Sequence, residues 1–335
     1  MDVLSDVLRA VRLTGAIYFD IDASSPWVGE SPGTAEISAA VMPEAEHVIS
    51  FHAVISGSCW AALADDSVPP VRVNAGDVVV FPGGSPNVMS SSPGARGEPD
   101  MAMYYRPIDQ HLPFTLIHGG GGDERTRFIC GYLGCDARPF NPLLAALPPI
   151  LLAHKPADGS GWVTDLFRLA MTEGGNRRAG GETVLAKLSE LMFVEVVRDH
   201  LATLPDDSRG WLSGLRDPQV GEALRLMHAR PTEEWTLDRL ARHVGLSRTA
   251  FAGRFAHYVG VSPIQYLARW RLQLAGRLLE RPDVSIAQVG AKVGYESEAA
   301  FNRAFKKFVG VPPGTWRKAR SALPKAQGLP LGVVQ

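Results

Sequence analysis

The chain has 335 residues, a formal net charge of −1, and 45% apolar against 21% charged residues, which is the balance of a globular protein. This length exceeds one ordinary hydrophobic core, so we expect two domains. No apolar run reaches the roughly 20 residues that a membrane-spanning helix needs, and the N-terminus lacks the basic start and apolar core of a signal peptide.

Charge and cysteine usage narrow the class of protein further. Residues 1–210 carry a formal charge of −11 and residues 211–321 carry +9, so we expect only the C-terminal part to meet a polyanion such as a nucleic acid. Chance segregation of solvated charge is the alternative. Three cysteines, Cys59, Cys130 and Cys135, make a poor disulfide framework, and this favours a reducing cytoplasm.

The first 130 or so residues have strand character, in short apolar or alternating segments separated by proline, glycine and serine clusters. This pattern is typical of a β-barrel or sandwich. The predicted strands are 35–42, 47–56, 59–64 and 114–118.

After Pro139 the pattern becomes helical. The predicted helical segments are 141–153, 162–172 and 182–204. The last of these could pack on the barrel or pair with its copy in a dimer. A polar, turn-rich stretch, 205–210, follows and indicates a linker.

The C-terminal region repeats itself. Leu237, Leu240, Ala241, Val244 and Gly245 recur 49 residues later as Ile286, Val289, Gly290, Val293 and Gly294, and a Phe-x-x-x-Phe pair with a following Gly-Val-x-Pro recurs 50 residues on. Each copy predicts a short capped helix, a sharp glycine turn, and a second helix whose two phenylalanines face inward.

Two such copies predict two helix-turn-helix units, each with its second helix free to enter a major groove of DNA. A longer helix between Pro263 and Pro282 would hold the two units at a fixed separation. Its predicted buried stripe consists of Leu267, Trp270, Leu274 and Leu278, and Arg269, Arg271 and Arg277 lie off that stripe. A helical repeat that binds no nucleic acid is the alternative, and the basic charge of this region argues against it.

These residues resemble a known family. The stretch 218–320 resembles the DNA-binding domain of AraC/XylS-type regulators, and VGYESEAAFNRAFKKFVGVPPGTWRKAR (293–320) is close to that family's signature. The front part resembles the cupin-type sensor domain of one branch, in FHAVISGSCW (51–60), AGDVVVFPGG (75–84) and the segment 127–153. The fold class implied is α+β: a cupin-like β-barrel with following helices (1–204), a linker (205–217), an all-α double helix-turn-helix domain (218–321) and a flexible tail (322–335).

The resemblance also implies the residues that contact operator DNA. In the first unit they are Arg248, Thr249, Ala252 and Arg254, and in the second unit Glu298, Ala299, Asn302 and Arg303. The family often has an arginine where Gly253 stands, so base reading by the first unit is expected to be weak. Arg303 is suited to a guanine edge and Asn302 to adenine, while Lys306, Lys307, Arg317 and Lys318 are expected to hold phosphates.

The front domain is predicted to sense a signal through an effector pocket formed by His52, Trp60, Tyr104, Tyr105 and Phe114; a place in the barrel core is the alternative for these residues. Cupins often hold a metal through histidines, but the second histidine position is occupied by Asn87, so we predict no metal and no cofactor. The cysteines are interpreted as buried, inert thiols.

The sequence therefore predicts a transcription regulator rather than an enzyme. Its expected partners are a double-stranded DNA operator, an unknown small-molecule effector, a second copy of itself and, on activation, RNA polymerase; no membrane is expected. Two alternatives remain open: a metal-dependent cupin enzyme fused to a helical domain, and a redox sensor that uses Cys130 or Cys135.

Overall fold

The structure is a computed structural model that describes residues 2–105, 112–155, 165–166, 169–170, 172–173 and 179–321. The chain divides into two compact units. The sheet unit comprises the described residues within Leu13–Cys135 and Leu147–Thr203, and the helical unit those within Met1–Arg12, Asp136–Ala146 and Leu204–Ala326. The helical unit thus includes two segments from the first 150 residues. The domain limits at 204, 217 and 321 stay predictions.

The described part of the sheet unit has strands in two sheets. The strands are β1 (Thr14–Ser24), β2 (Val28–Ser31), β3 (His47–Ser56), β4 (Ser58–Leu63), β5 (Val71–Asn74), β6 (Val78–Phe81), β7 (Asn87–Ser90), β8 (Phe114–Gly119), β9 (Arg125–Cys135) and β10 (Leu151–Ala153). One sheet has the order β10-β6-β3-β9-β1-β8 and the other β2-β7-β4-β5. Phe81 and Phe128 from the first sheet share one core with Ala61 and Met89 from the second, which confirms the barrel-like β architecture.

Two predictions in this unit are wrong. Residues 35–42 do not form a strand; Thr34–Val41 form helix α2, because Gly33 N donates to the Glu36 carboxylate and thereby caps the helix N-terminus. The segment 141–153 is not helical throughout: only Leu144–Ala146 form a 3₁₀ turn, and the apolar residues after the two prolines form β10. The predicted segment 162–172 lies largely outside the described residues.

The predicted helix 182–204 is confirmed as α3 (Gly181–Thr203), which packs on β1. Gly15 permits this close approach, because a Cβ there would lie 2.1 Å from Ser189 Oγ. The buried face of α3 carries Leu185, Leu188, Met192, Phe193 and Val196. Val184 and Leu191 on its other face are 37% and 46% exposed.

The helical unit contains α1 (Val3–Ala10), α4 (Trp211–Arg216), α5 (Pro218–Ala229), α6 (Leu237–His243), α7 (Arg248–Val259), α8 (Pro263–Leu279), α9 (Ile286–Lys292), α10 (Glu298–Val309) and α11 (Pro313–Ser321). Helix α4 lies within the range 205–217 that was predicted as linker, and it buries Trp211 and Leu212. In the described residues no helix combines the length and apolar character that crossing a membrane requires.

Helix α8 is buried on more than one side. Tyr266, Trp270, Leu272 and Leu279 are each at most 2% exposed, because other helices pack around α8. The N-terminal segment also packs against it, since Gln273 Nε2 donates to the Ala10 carbonyl. The predicted stripe of α8 is therefore one part of a wider buried surface.

Candidate DNA-binding interface

The first helix-turn-helix unit consists of α6, a glycine turn and α7. Thr236 Oγ1 caps α6 by accepting from Arg239 N, and Ser247 Oγ caps α7 by accepting from Ala250 N. Gly245 between them has φ of +72°, which a residue with a Cβ adopts only under strain. The predicted caps and turn are thus confirmed.

The second unit, α9, turn and α10, repeats this geometry. Ser285 and Gln288 form the predicted capping box, Ser297 caps α10, and Gly294 in the turn has φ of +88°. A Cβ on Gly290 would lie 3.0 Å from the Phe301 Cβ, so the lack of a side chain lets α9 and α10 cross closely. Phe301 and Phe305 are 0% exposed, and this leaves the opposite face of α10 in solvent.

The exposed face of α10 carries a guanidinium and two ammonium groups. Arg303, Lys306 and Lys307 are exposed, and no carboxylate of the described residues pairs with them. Glu298 and Ala299 are exposed beside them, while Asn302 is half-buried and its Nδ2 donates to the Glu298 carbonyl. These cations are therefore available to the phosphates and base edges of DNA.

The first unit differs, because its arginines are already engaged. The Arg254 guanidinium donates to the Asp217 carboxylate (Nε to Oδ2, 2.9 Å). Burial by itself raises the pKa of Asp217, but Arg254 and the backbone amides of Val220 and Gln219 lower it overall. Arg248 lies 3.6 Å from Asp238, with both side chains exposed. A phosphate contact by Arg254 stays a prediction and would require it to leave Asp217.

Arg317 is also engaged within the protein. Its Nε donates to the Leu279 carbonyl (2.9 Å) and its Nη2 to the Val284 carbonyl (2.6 Å), so it joins α11 to the segment that follows α8. The neighbouring Lys318 is exposed. The phosphate contact predicted for Arg317 would compete with these two hydrogen bonds.

Gly253 stands in the middle of the exposed face of α7, and a Cβ there would contact nothing within 4 Å. We expect Gly253→Arg to tighten operator binding by about tenfold, because a guanidinium would reach the groove where the chain now presents none. Fluorescence anisotropy measures the affinity. Gly253→Ala is the matched control: it should raise the free energy of unfolding by about 0.5–1 kcal/mol with unchanged affinity. Equal affinities for all three proteins would contradict the placement of α7 in a groove.

The residues predicted to form the effector pocket do not all lie in the interior of the sheet unit. His52 and Tyr104 are buried, and the Phe114 ring packs against the core beside Tyr18. Trp60 lies on the opposite face of β4 from buried Cys59 and Ala61, with the Arg72 guanidinium over its ring, and Tyr105 is 67% exposed. The structure thus brings His52, Tyr104 and Phe114 into the interior, but not Trp60 or Tyr105.

His52 belongs to a buried polar cluster between β3, β7 and β9. Asn87 Nδ2 donates to Ser50 Oγ, so its Oδ1 accepts from His52 Nε2 (3.2 Å). His52 Nδ1 is then the acceptor for the Cys130 thiol, at 2.9 Å. Burial lowers the pKa of His52 to about 4, although the hydrogen bond to Asn87 opposes this. The imidazole is therefore neutral at pH 7.

A neutral buried histidine makes stability depend on pH. The unfolded chain binds a proton at His52 below about pH 6.5, whereas the folded chain does so only near pH 4. The free energy of unfolding should therefore fall as the pH drops through this window, by about 1.4 kcal/mol per pH unit from this residue. Urea unfolding of wild type and His52→Gln at pH 7 and pH 5 measures it. Identical pH slopes would contradict the buried, neutral assignment.

Two observations in this unit bear on the alternatives that the sequence leaves open. Within the described residues no group of three or more His, Cys, Asp or Glu side chains is placed to hold a metal ion. Cys59, Cys130 and Cys135 are all buried. Burial raises the pKa of Cys59 to about 12 and that of Cys130 well above its ordinary value, so both thiols stay protonated and poorly reactive.

The fold and this interface define a protein with a β-barrel-like front part and a double helix-turn-helix back part. A family described as Cupin matches residues 2–202, and one described as Helix-turn-helix domain matches residues 240–319. An AraC-like transcription regulator of Streptomyces lividans is 33% identical over 325 residues, covering 95% of this chain and 98% of its own. The regulator AlkR of Acinetobacter baylyi is 28% identical, covering 95% of this chain and 99% of its own.

The chain belongs to the AraC-type transcription regulators with an N-terminal cupin domain. A solved structure of the DNA-binding domain of AdpA in complex with a target DNA is 31% identical, covers 32% of this chain and 95% of that chain, and has a TM-score of 0.30. Both relatives named above are described as transcription regulators.

Proposed function

We propose that the chain binds operator DNA by placing α7 and α10 in successive major-groove segments on one face of the duplex, with α10 as the main reader of sequence. The observation that carries this is Arg303, which no carboxylate in the described part of the chain pairs with, on the exposed face of a capped helix whose other face is fixed by Phe301 and Phe305. An arginine fork matches the two acceptors of a guanine edge. In the first unit, Gly253 offers no such donor.

The other residues of the interface have distinct roles in this proposal. Asn302 would read adenine after releasing the Glu298 carbonyl, and Lys306, Lys307 and Lys318 would neutralise phosphates. We call the DNA segment bound by each recognition helix a box: the α7 box and the α10 box. Arg248 and Thr249 at the start of α7 would contact the sugar-phosphate backbone of the DNA near the α7 box. Against the groove itself would lie Ala252, Glu298 and Ala299. Sequence selectivity should therefore be stronger at the α10 box than at the α7 box.

The experiment is a selection of bound sequences from a random DNA pool with the purified full chain, followed by a reporter under control of the selected site. We expect a motif with one strongly constrained and one weakly constrained box. Reporter expression that rises with the chain would indicate recruitment of RNA polymerase, and expression that falls would indicate an obstructed promoter. Failure to enrich any sequence at moderate salt would contradict operator binding.

We propose a homodimer formed through the outer face of α3. Val184 and Leu191, seven residues apart, leave apolar surface on a helix whose opposite face packs on the sheet. Sedimentation of wild type and Leu191→Glu distinguishes the outcomes. A dimer that dissociates in the variant supports the proposal, and a wild-type monomer at micromolar concentration contradicts it.

We propose that the sheet unit, working in the cytoplasm, holds the signal, a small molecule or a stress product, at the interior groups around His52, Tyr104 and Phe114. The Tyr104 hydroxyl lies 3.3 Å from Ser31 Oγ, so this cluster contains polar groups that a ligand could exchange for its own. Tyr104→Phe should change the response of the reporter to growth conditions while DNA binding in vitro stays unchanged. A response identical to that of wild type across the panel of conditions would argue against this site.

A further inference from the structure

A single side chain on α8 forms hydrogen bonds both to the segment that leads into the first helix-turn-helix unit and to the turn of the second unit. The Arg271 guanidinium donates from Nε to the Pro231 carbonyl (2.6 Å) and from Nη2 to the Glu233 carbonyl (2.9 Å), in the segment that leads into α6. From Nη1 it donates to the Gly294 carbonyl (3.2 Å), in the turn between α9 and α10. Arg271 therefore joins the segment before the first unit to the turn of the second.

The Arg271 guanidinium is half-buried and is bound by backbone carbonyls instead of a carboxylate. No carboxylate of the described residues forms an ion pair with it, and the nearby Glu233 carboxylate pairs with Arg239 and Arg230 instead. Burial lowers the pKa of Arg271 from its ordinary value, although the guanidinium stays charged at neutral pH. Three carbonyl oxygens thus replace the water that the guanidinium has lost.

The two backbone segments that Arg271 joins also touch each other. A Cβ on Gly294 would lie 3.0 Å from the Thr232 Cα and 3.0 Å from the Arg271 Cζ, so no side chain fits between the turn and the segment. The segment is itself held in place, because Trp235 Nε1 donates to the Arg230 carbonyl and the Arg239 guanidinium lies 4.8 Å over the Trp235 ring. Arg271 therefore stabilises the contact between the segment that leads into α6 and the turn between α9 and α10.

We propose that Arg271 fixes the separation and angle between α7 and α10, and thereby the spacing between the two DNA boxes that the chain binds. This rests on the proposed operator binding. Arg271 is a positioning residue: it acts on DNA only through the two recognition helices. Two rigidly joined modules gain affinity when both boxes are correctly spaced, and they lose that gain when the linkage loosens.

The test uses the full chain with Arg271→Lys and Arg271→Met, and Arg281→Lys as the matched control, because exposed Arg281 pairs only locally with Asp283. The probes are the selected two-box site, the same site with two base pairs added or removed, and each box alone. We expect both Arg271 variants to bind the two-box site about 10- to 100-fold more weakly, with the spacing preference lost and single-box affinities within about twofold of wild type. Arg281→Lys should bind like wild type.

The lysine variant separates positioning from charge. A lysine keeps the positive charge but cannot bond three carbonyls on two segments. Rescue by lysine would mean that Arg271 contacts phosphate and would overturn the proposal, and so would a preserved spacing preference or an equal loss on single boxes. A wild type that selects no DNA would instead overturn the proposed function.

A second measurement needs no DNA. Spin labels at Ala256→Cys on α7 and Lys307→Cys on α10, both exposed positions, report the distance between the two recognition helices, while the three native cysteines are buried. We expect a narrow distance distribution in wild type and a broader one in both Arg271 variants. An unchanged distribution in the variants would overturn the proposal, whatever the DNA measurements give.

Discussion

Replacing Phe305 with alanine is expected to lower the free energy of unfolding of the helical unit by about 3–5 kcal/mol, the range for removing a buried phenylalanine ring. Phe305 is 0% exposed, and its ring lies 5.6 Å from that of Phe301 and 5.9 Å from that of Trp316. It therefore joins α10 to α11, and the cavity left by alanine cannot close without moving one of these helices. Denaturant unfolding monitored by circular dichroism measures the loss.

The same helix supplies the matched control. Phe308 is 38% exposed, and the Arg269 guanidinium lies 5.2 Å from its ring centre. Phe308→Ala should therefore cost only about 1 kcal/mol or less. The ratio between the losses in unfolding free energy of the two variants tests which face of α10 is buried. Similar losses for both variants would contradict the orientation of α10, and with it the choice of residues that face DNA.

Arg303→Ala is expected to weaken binding to the selected operator by about 5- to 150-fold, which corresponds to the 1–3 kcal/mol of a good bidentate base contact. Affinity for unrelated DNA should change only a few-fold, because this arginine is assigned to a base edge. The measurement is fluorescence anisotropy on the operator and on a scrambled sequence. The selected motif should also become degenerate at one position.

Lys307→Ala provides the contrasting result on the same face of α10. A phosphate contact carries no sequence information, so affinity should fall by a similar factor on operator and scrambled DNA. The slope of log affinity against log salt should decrease by about one. If Arg303→Ala instead behaves like Lys307→Ala, Arg303 is a phosphate contact and the assignment of α10 as the reading helix is wrong.

The double helix-turn-helix was predictable from the sequence because every device that forms it is local. Caps at Ser247, Ser285 and Ser297 act within three residues, and the glycine turns require only their own backbone angles. The repeat at a spacing of about 50 residues then supplied the independent confirmation that a single motif lacks. For the same reason, α3 was predictable from its long apolar pattern.

The features that sequence reasoning missed depend on partners distant along the chain. Nothing near Arg254 in the sequence indicates that its guanidinium pairs with Asp217. Likewise, nothing near Arg317 in the sequence indicates that it donates to the Leu279 carbonyl. Arg271 was placed off the buried stripe of its helix, and its role emerged only from carbonyls 40 and 23 residues away. The packing of residues 2–12 and 136–146 in the helical unit has the same origin, since the Arg12 guanidinium pairs with the Asp136 carboxylate 124 residues away.

The helix at Thr34–Val41 was mistaken for a strand for a different reason. Eight residues between turn signals, all apolar or small except Glu36, fit either structure, and periodicity alone does not separate helix from strand over so short a length. The carboxylate of Glu36 reaching back to Gly33 N, together with inward-facing Ile37 and Val41, decides for the helix. A capping signal therefore outweighed the alternation that suggested a strand.

A hydroxyl-radical footprint of the full chain on its selected operator tests the central claim most directly. Two recognition helices held rigidly on α8 should protect two patches of sugar on one face of the duplex, with centres about 10 base pairs apart. That pattern, deeper at the box bound by α10, is the result expected. A single patch, or continuous protection on all faces of the duplex, would contradict the placement of both helices in successive major grooves.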